Sequence, residues 1–232
     1  MLTIRQIAWG VIVVFAIGVL AIYNIANADS LDLGYRIYTE AGGMGLHENG
    51  VSEGHKYYQL LGIEVSKDTP KRTWSIALEG FKRGEAADDD PEILNWGATI
   101  DGRMEGKFNS VFDSKFWEYV YPYIGVSYNH FERDENNAKD PDTKTFFEFA
   151  AAEAGVKIKY GIVWINLGTI IPFATNAQSG NFGIDSGIGI TWKGTIDLAY
   201  RYKKIAFTDH HFHTGENDFD FTFSGVELAY NF

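Results

Sequence analysis

From Leu31 onward, apolar and polar residues alternate with a period of two, and the rhythm of an amphipathic helix is almost absent. Leu31, Leu33, Tyr35 and Ile37 alternate with Asp32, Gly34, Arg36 and Tyr38. Trp74, Ile76 and Leu78 alternate with Ser75, Ala77 and Glu79, and Ile196, Leu198, Tyr200 and Tyr202 with Asp197, Ala199, Arg201 and Lys203. Segments of this kind form two-faced strands. The pattern predicts about ten strands, over 31–40, 56–66, 72–82, 95–106, 116–131, 144–158, 160–171, 182–192, 194–207 and 219–232. Eight is the alternative count, if the weakly patterned stretch 144–171 pairs differently.

The gaps between these segments differ in kind. Lys67–Lys71, the neighbourhood of Tyr160 and Lys193-Gly194 read as tight turns, and Lys107–Lys115 is somewhat longer. Between them lie longer polar stretches at 41–55, 83–94, 132–143, 172–181 and 208–218. An even number of strands, with short turns at one end and long loops at the other, predicts an all-β, up-and-down antiparallel transmembrane barrel.

The second face of the strands separates this reading from a soluble barrel, whose outer face would be rich in Lys, Glu and Thr. Here that face is mainly Gly, Ala and Ser with charges of both signs: Arg36, Glu40, Glu79, Asp101, Arg103, Glu105, Asp185, Asp197, Arg201 and Glu227. Small residues beside opposite charges suit a narrow lumen packed by ion pairs. Arg36, Glu79, Asp101, Arg103, Asp197 and Arg201 are the expected lumen charges. Aromatic clusters such as Trp117-Glu-Tyr119-Val-Tyr121-Pro-Tyr123, Trp192 and Tyr200-Arg-Tyr202 read as an interfacial girdle.

The N-terminus has the form of a secretory signal. A basic start at Arg5 precedes an apolar run from Ile7 to Tyr23 and an Ala26-Asn27-Ala28 site of small residues. Cleavage after Ala28 would leave 29–232 as a single exported barrel domain; an uncleaved anchor is the alternative reading of the same run. The C-terminus ends Val226-Glu-Leu228-Ala-Tyr230-Asn-Phe232, with Leu228, Tyr230 and Phe232 on one face. This is similar to the C-terminal assembly signal of Gram-negative outer-membrane proteins, which the outer-membrane insertase recognises. The mature chain resembles the class of small outer-membrane barrels, porin-like or opacity-type, with no subfamily motif to match. Phe219, Phe221 and Phe223 stand on odd positions, out of phase with the even face of Val226 to Phe232. Either a bulge at Ser224-Gly225 resets the face, or the three rings lie above the hydrocarbon band.

Composition fits a membrane protein whose hydropathy averages out. Aromatics reach 16%, charged residues 22%, and there is no Cys, which excludes disulfide scaffolds and thiolate metal centres. A net charge of −11 argues against a nucleic-acid partner. The leader carries one base and no acid, so the mature chain is one unit more acidic. Acids gather in the loops, at Glu85, Asp88, Asp89, Asp90 and Glu92 and at Glu132, Asp134, Glu135, Asp140 and Asp142. The turns carry Lys67, Lys71, Arg72, Lys107, Lys115, Lys159 and Lys193. The implied partners are outer-membrane lipid, lipopolysaccharide and the assembly machinery, with the protein as a monomer. The expected role is structural or interactive, or a cation-leaning pore for small solutes.

Candidate chemistry is sparse. His47, His55, His130, His210, His211 and His213 all fall at the loop end. Asp209, His211 and His213 share one side of an extended segment and form a candidate metal set. Asp88-Asp89-Asp90 with Asp209 and His211 is superficially similar to the omptin protease arrangement, but the Asp–His element falls in the last loop, unlike that family. A lipid A deacylase needs a His-x-Ser on one strand, and His130 is followed by Phe131-Glu132. No catalytic residue and no cofactor is expected, with an outer-membrane hydrolase or a metal-binding surface barrel as the alternatives.

Overall fold

The computed structural model describes residues 33–48, 51–84, 94–108, 114–133, 146–175, 177–212 and 215–232. Eleven strand segments run in chain order: β1 (Leu33–Glu48), β2 (Val51–Asp68), β3 (Arg72–Arg83), β4 (Leu94–Gly106), β5 (Val120–Arg133), β6 (Phe146–Tyr160), β7 (Val163–Thr175), β8 (Ala177–Gly180), β9 (Gly183–Trp192), β10 (Ile196–Phe212) and β11 (Gly215–Asn231). Neighbouring strands pair antiparallel, and β11 pairs with both β10 and β1, so the sheet closes on itself. β8 and β9 lie end to end along β10, and the closed barrel therefore has ten strands.

At the short-turn end, local chemistry sets the connections. Lys193 and Gly194 both have positive φ, 51° and 73°, and Thr195 N–H donates to the Trp192 carbonyl at 3.0 Å. That is the turn whose twist matches a hairpin, and glycine takes its second position without strain. The β4–β5 connection contains a one-turn 3-10 helix at Lys115–Glu118, capped by the Ser114 hydroxyl. The expected strand at 116–131 therefore begins later, at Val120, because Trp117 packs edge-on against Phe108 and Phe116 instead of joining the sheet.

At the other end, three stretches expected as long loops are mostly strand. β1 and β2 extend to Glu48 and from Val51, β7 and β8 cover most of 172–181, and β10 and β11 extend to Phe212 and from Gly215. In the described parts of β1, β10 and β11 alternation continues there in reversed sense, with Met44, Leu46, Ile205, Phe207, Phe219 and Phe221 inside and polar side chains outside. On the outside, Lys204 Nζ lies 2.8 Å from Asp220 and His130 Nδ1 lies 2.9 Å from Glu148. The acidic stretches 85–93 and 134–145 lie outside the described residues.

The register settles the odd-numbered phenylalanines. β11 pairs with β1 without a break from Arg36↔Asn231 to Glu48↔Phe219, so no bulge occurs at Ser224-Gly225. Phe219, Phe221 and Phe223 point inward, in phase with Gly225, Glu227 and Ala229, and all six are buried. Their level is that of the polar pair Lys204–Asp220, at the rim beyond the apolar exterior.

Candidate functional site

The exterior decides the solvent. Ile124, Val126, Ile188, Leu198, Val226 and Leu228 are about half exposed, while the residues between them on the same strands are largely covered. A water-soluble barrel buries its apolar face; this one presents it, and a belt of aliphatic residues bordered by Trp74, Trp192, Tyr230 and Phe232 is the surface that hydrocarbon requires. Leu228, Tyr230 and Phe232 belong to this belt, and Phe232 stacks on Tyr35 at 6.0 Å while its backbone pairs with Tyr35 in both directions. Two of the tyrosines expected in the girdle, Tyr121 and Tyr123, lie inside instead. A cation faces each ring: Arg103 lies 4.3 Å from the Tyr123 centroid and Lys159 lies 4.8 Å from that of Tyr121.

The interior has two parts. Toward the turns it is a charged cavity of about 600 Å³. Arg36, Glu79, Asp101, Arg103, Asp197 and Arg201 all line it. Nine carboxylates face seven basic groups on its wall, so the lining nearly neutralises itself. Three arginines organise the pairs. Arg201 lies 3.0 Å from Glu227 and 3.9 Å from both Glu79 and Asp185. Arg36 donates to the other Glu227 oxygen and lies 3.5 Å from Asp197. Arg103 reaches Glu153 at 2.9 Å and Asp185 at 3.3 Å. Asn166 adds a hydrogen bond to Asp185 at 3.0 Å, and Tyr38 donates to Glu79 at 2.7 Å.

Charges so deep must be paired, because an ion taken from water loses several kcal/mol of solvation. Planar guanidinium groups suit the task, each bridging carboxylates on different strands. Buried Arg103 Nε, Asn166 Oδ1, Asp185 Oδ1 and Asp197 Oδ1 have no hydrogen-bond partner among the described residues. They border a cavity roomy enough for water to reach them. Room for these groups comes from glycines that let rings lie flat on the wall. A Cβ on Gly62 would stand 2.2 Å from the Tyr38 ring.

Toward the loop end the polar lining stops and an apolar core begins. Met44, Leu46, Tyr58, Phe81, Leu94, Phe131, Phe147, Phe149, Ile170, Ile205, Phe207, Phe219, Phe221 and Phe223 form one buried cluster. Its rings pack edge to face: Phe147–Phe221 at 5.0 Å, Phe81–Phe223 at 5.2 Å and Phe131–Phe221 at 5.4 Å between centroids. Tyr58 marks the boundary, with its ring in the core and its hydroxyl donating to Glu40 on the cavity side. The alternation of residues does not by itself predict an apolar core inside the barrel. Its signal is a change of parity at one height in several strands, as where Tyr200 outside gives way to Ile205 and Phe207 inside.

The side chains of Asp209 and His211, and all of His213, lie outside the described residues, as does Asp88-Asp89-Asp90. Among the described residues no group of three His, Asp or Glu side chains is disposed to hold a metal ion. His130 stands on the barrel's outer wall, 5.0 Å from Trp96 between ring centroids and stacked on Phe146 at 6.2 Å.

Fold and interior together define an outer-membrane-type β-barrel. No family model matches the sequence, and no curated protein matches it. Among solved structures, the chain is similar to Neisserial surface protein A at 10% identity and TM-score 0.33, over 84% of this chain and 96% of that one. It is also similar to the translocator domain of the autotransporter NalP from Neisseria meningitidis, at 10% identity and TM-score 0.36, over 91% and 92% of the two chains. The outer membrane protein OprG from Pseudomonas aeruginosa matches at 9% identity and TM-score 0.32, over 87% and 96%. No role follows from similarity at this level.

Proposed function

We propose that this chain is a structural and interaction barrel of the bacterial outer membrane, exported by a cleaved leader over residues 1–28 and closed to solutes. One observation carries the reading: the aromatic core fills the loop end of the interior, where a pore would need a continuous polar path. A hydrated ion crossing that layer would have to shed its water among phenylalanine rings, and burying an unpaired charge there is prohibitive. The strands' reach beyond the apolar belt supports a platform role, because the strand ends that flank the acidic sequence stretches 85–93 and 134–145 lie at the level of the buried aromatic core. At the cell surface those segments would meet lipopolysaccharide or a partner.

Planar-bilayer recording tests this. The wild-type barrel is expected to stay silent at high protein loading, while Phe147→Ala/Phe221→Ala, which hollows the core, is expected to show ion conductance. Steady wild-type channels would sink the reading in favour of a small-solute pore. Heat-modifiable migration of protein from outer-membrane fractions tests the location.

A further inference from the structure

The turn end of the barrel is basic in a chain whose net charge is −11. Lys67, Lys71, Arg72, Lys115 and Lys193 are exposed there. Among the described residues the exposed acids beside them are Glu118 and Asp68, and Asp68 is taken up by Lys107 and Thr73. The opposite rim is mixed, with Asp218, Asp220, Glu132 and Glu148 beside Lys82, Arg83 and Lys204. At the turn end the cations gather next to the tryptophans. Lys67 is the cross-strand partner of Trp74, and the Arg72 guanidinium lies 5.0 Å from the centre of that same ring. Lys193 directly follows Trp192. Both indoles face outward and are about half exposed.

An indole at the edge of an apolar belt settles among lipid headgroups. A cation held against it then sits at the level of the phosphates, where a net negative leaflet attracts it. Each basic side chain so placed favours an anionic surface by about fivefold at most, an attraction that salt screens. We propose that Lys67, Arg72 and Lys193 select anionic phospholipid headgroups in the leaflet that faces the short turns. This rests on the reading that the barrel spans a bilayer.

The test uses the mature barrel refolded into mixed vesicles of phosphatidylcholine and phosphatidylglycerol. A Trp96→Phe background removes the outward indole of the loop end. Fluorescence quenching by brominated phosphatidylglycerol is compared with quenching by brominated phosphatidylcholine. The expected result is a several-fold preference for the anionic lipid that falls toward one in Lys67→Gln/Arg72→Gln/Lys193→Gln. The same loss is expected for the unsubstituted cations in about 0.5 M salt, which needs no variant to fold. Equal quenching by the two lipids, in a barrel whose heat-modifiable migration shows insertion, overturns the inference and leaves the basic rim to an acidic protein partner. A preference unchanged in both the triple variant and high salt overturns it too. Failure to insert at all would instead remove the bilayer reading, and this inference with it.

Discussion

Glu227 and Arg201 form a hydrogen-bonded ion pair at 3.0 Å across β10 and β11, and the second Glu227 oxygen accepts from Arg36 on β1. One carboxylate thus ties the last strand to both of its neighbours, at the seam where the sheet closes. Glu227 is fully buried, whereas each arginine side chain keeps about a fifth of its surface open to the cavity.

Removing this carboxylate leaves two guanidinium groups short of a partner. Glu227→Ala is expected to destabilise the barrel by about 3 kcal/mol, the lower part of the range for breaking a buried pair, because cavity water moderates the loss. Urea unfolding in detergent or lipid measures it. A cost below about 1 kcal/mol would show that the seam is held by backbone pairing alone.

In the aromatic core, Phe221 is fully buried and packs against Phe131, Phe147 and Phe207. Phe221→Ala is expected to cost about 3–5 kcal/mol, from lost transfer energy and the cavity left behind. Phe221→Leu, which refills most of the volume, is expected to recover more than half of that, read from the same unfolding curves.

Glycine packing on the wall makes a paired prediction. A Cβ on Gly97 would stand 2.3 Å from the Phe81 ring and 2.6 Å from that of Phe131, and both rings are locked in the core. Gly97→Ala should therefore force the rings apart and cost about 1–3 kcal/mol. Gly102→Ala, with its nearest neighbour 3.9 Å away, should be neutral or stabilising. Equal effects at the two sites would contradict the packing described.

Phe232 separates assembly from stability. Its side chain is 60% exposed, so Phe232→Ala should shift the unfolding midpoint little once the barrel has formed. The amount of folded protein reaching the outer membrane of expressing cells should nonetheless fall several-fold. Equal yields would show that the insertase reads other residues.

Much of the architecture was legible because alternation carries it. Where Ile196, Leu198 and Tyr200 face lipid, the intervening Asp197 and Arg201 must face inward, and paired charges inside a narrow barrel follow. The upper interior was not legible for the same reason. A period of two tells which residues share a face and is silent on which face is inside. Above Gly225 the exterior turns from lipid to water, so apolar residues change sides with no break in register. Phe219, Phe221 and Phe223 therefore left two readings, a bulge or a place above the hydrocarbon band, and the second is the one the register supports. Lengths failed likewise: 41–48 read as loop because its outer face carries Ala41, Gly43, Gly45 and His47 in place of aliphatic residues, and 208–212, read as loop, is strand as well. Tyr121 and Tyr123 resembled girdle residues, since nothing local distinguishes a ring beside a headgroup from one beside a guanidinium.

The apolar core draws on β1 to β7, β10 and β11, including Met44, Tyr58, Phe81, Leu94, Phe131, Phe147, Ile170, Ile205 and Phe219. Slipping any of these strands by one residue would turn its core side chain out into water at the rim, and in the same movement push its inward charged or polar side chains into lipid lower down. The two ends of the barrel thus reject the same mistake by opposite physics. Proofreading of strand alignment is built into the interior, and a misaligned chain has no half-correct resting place.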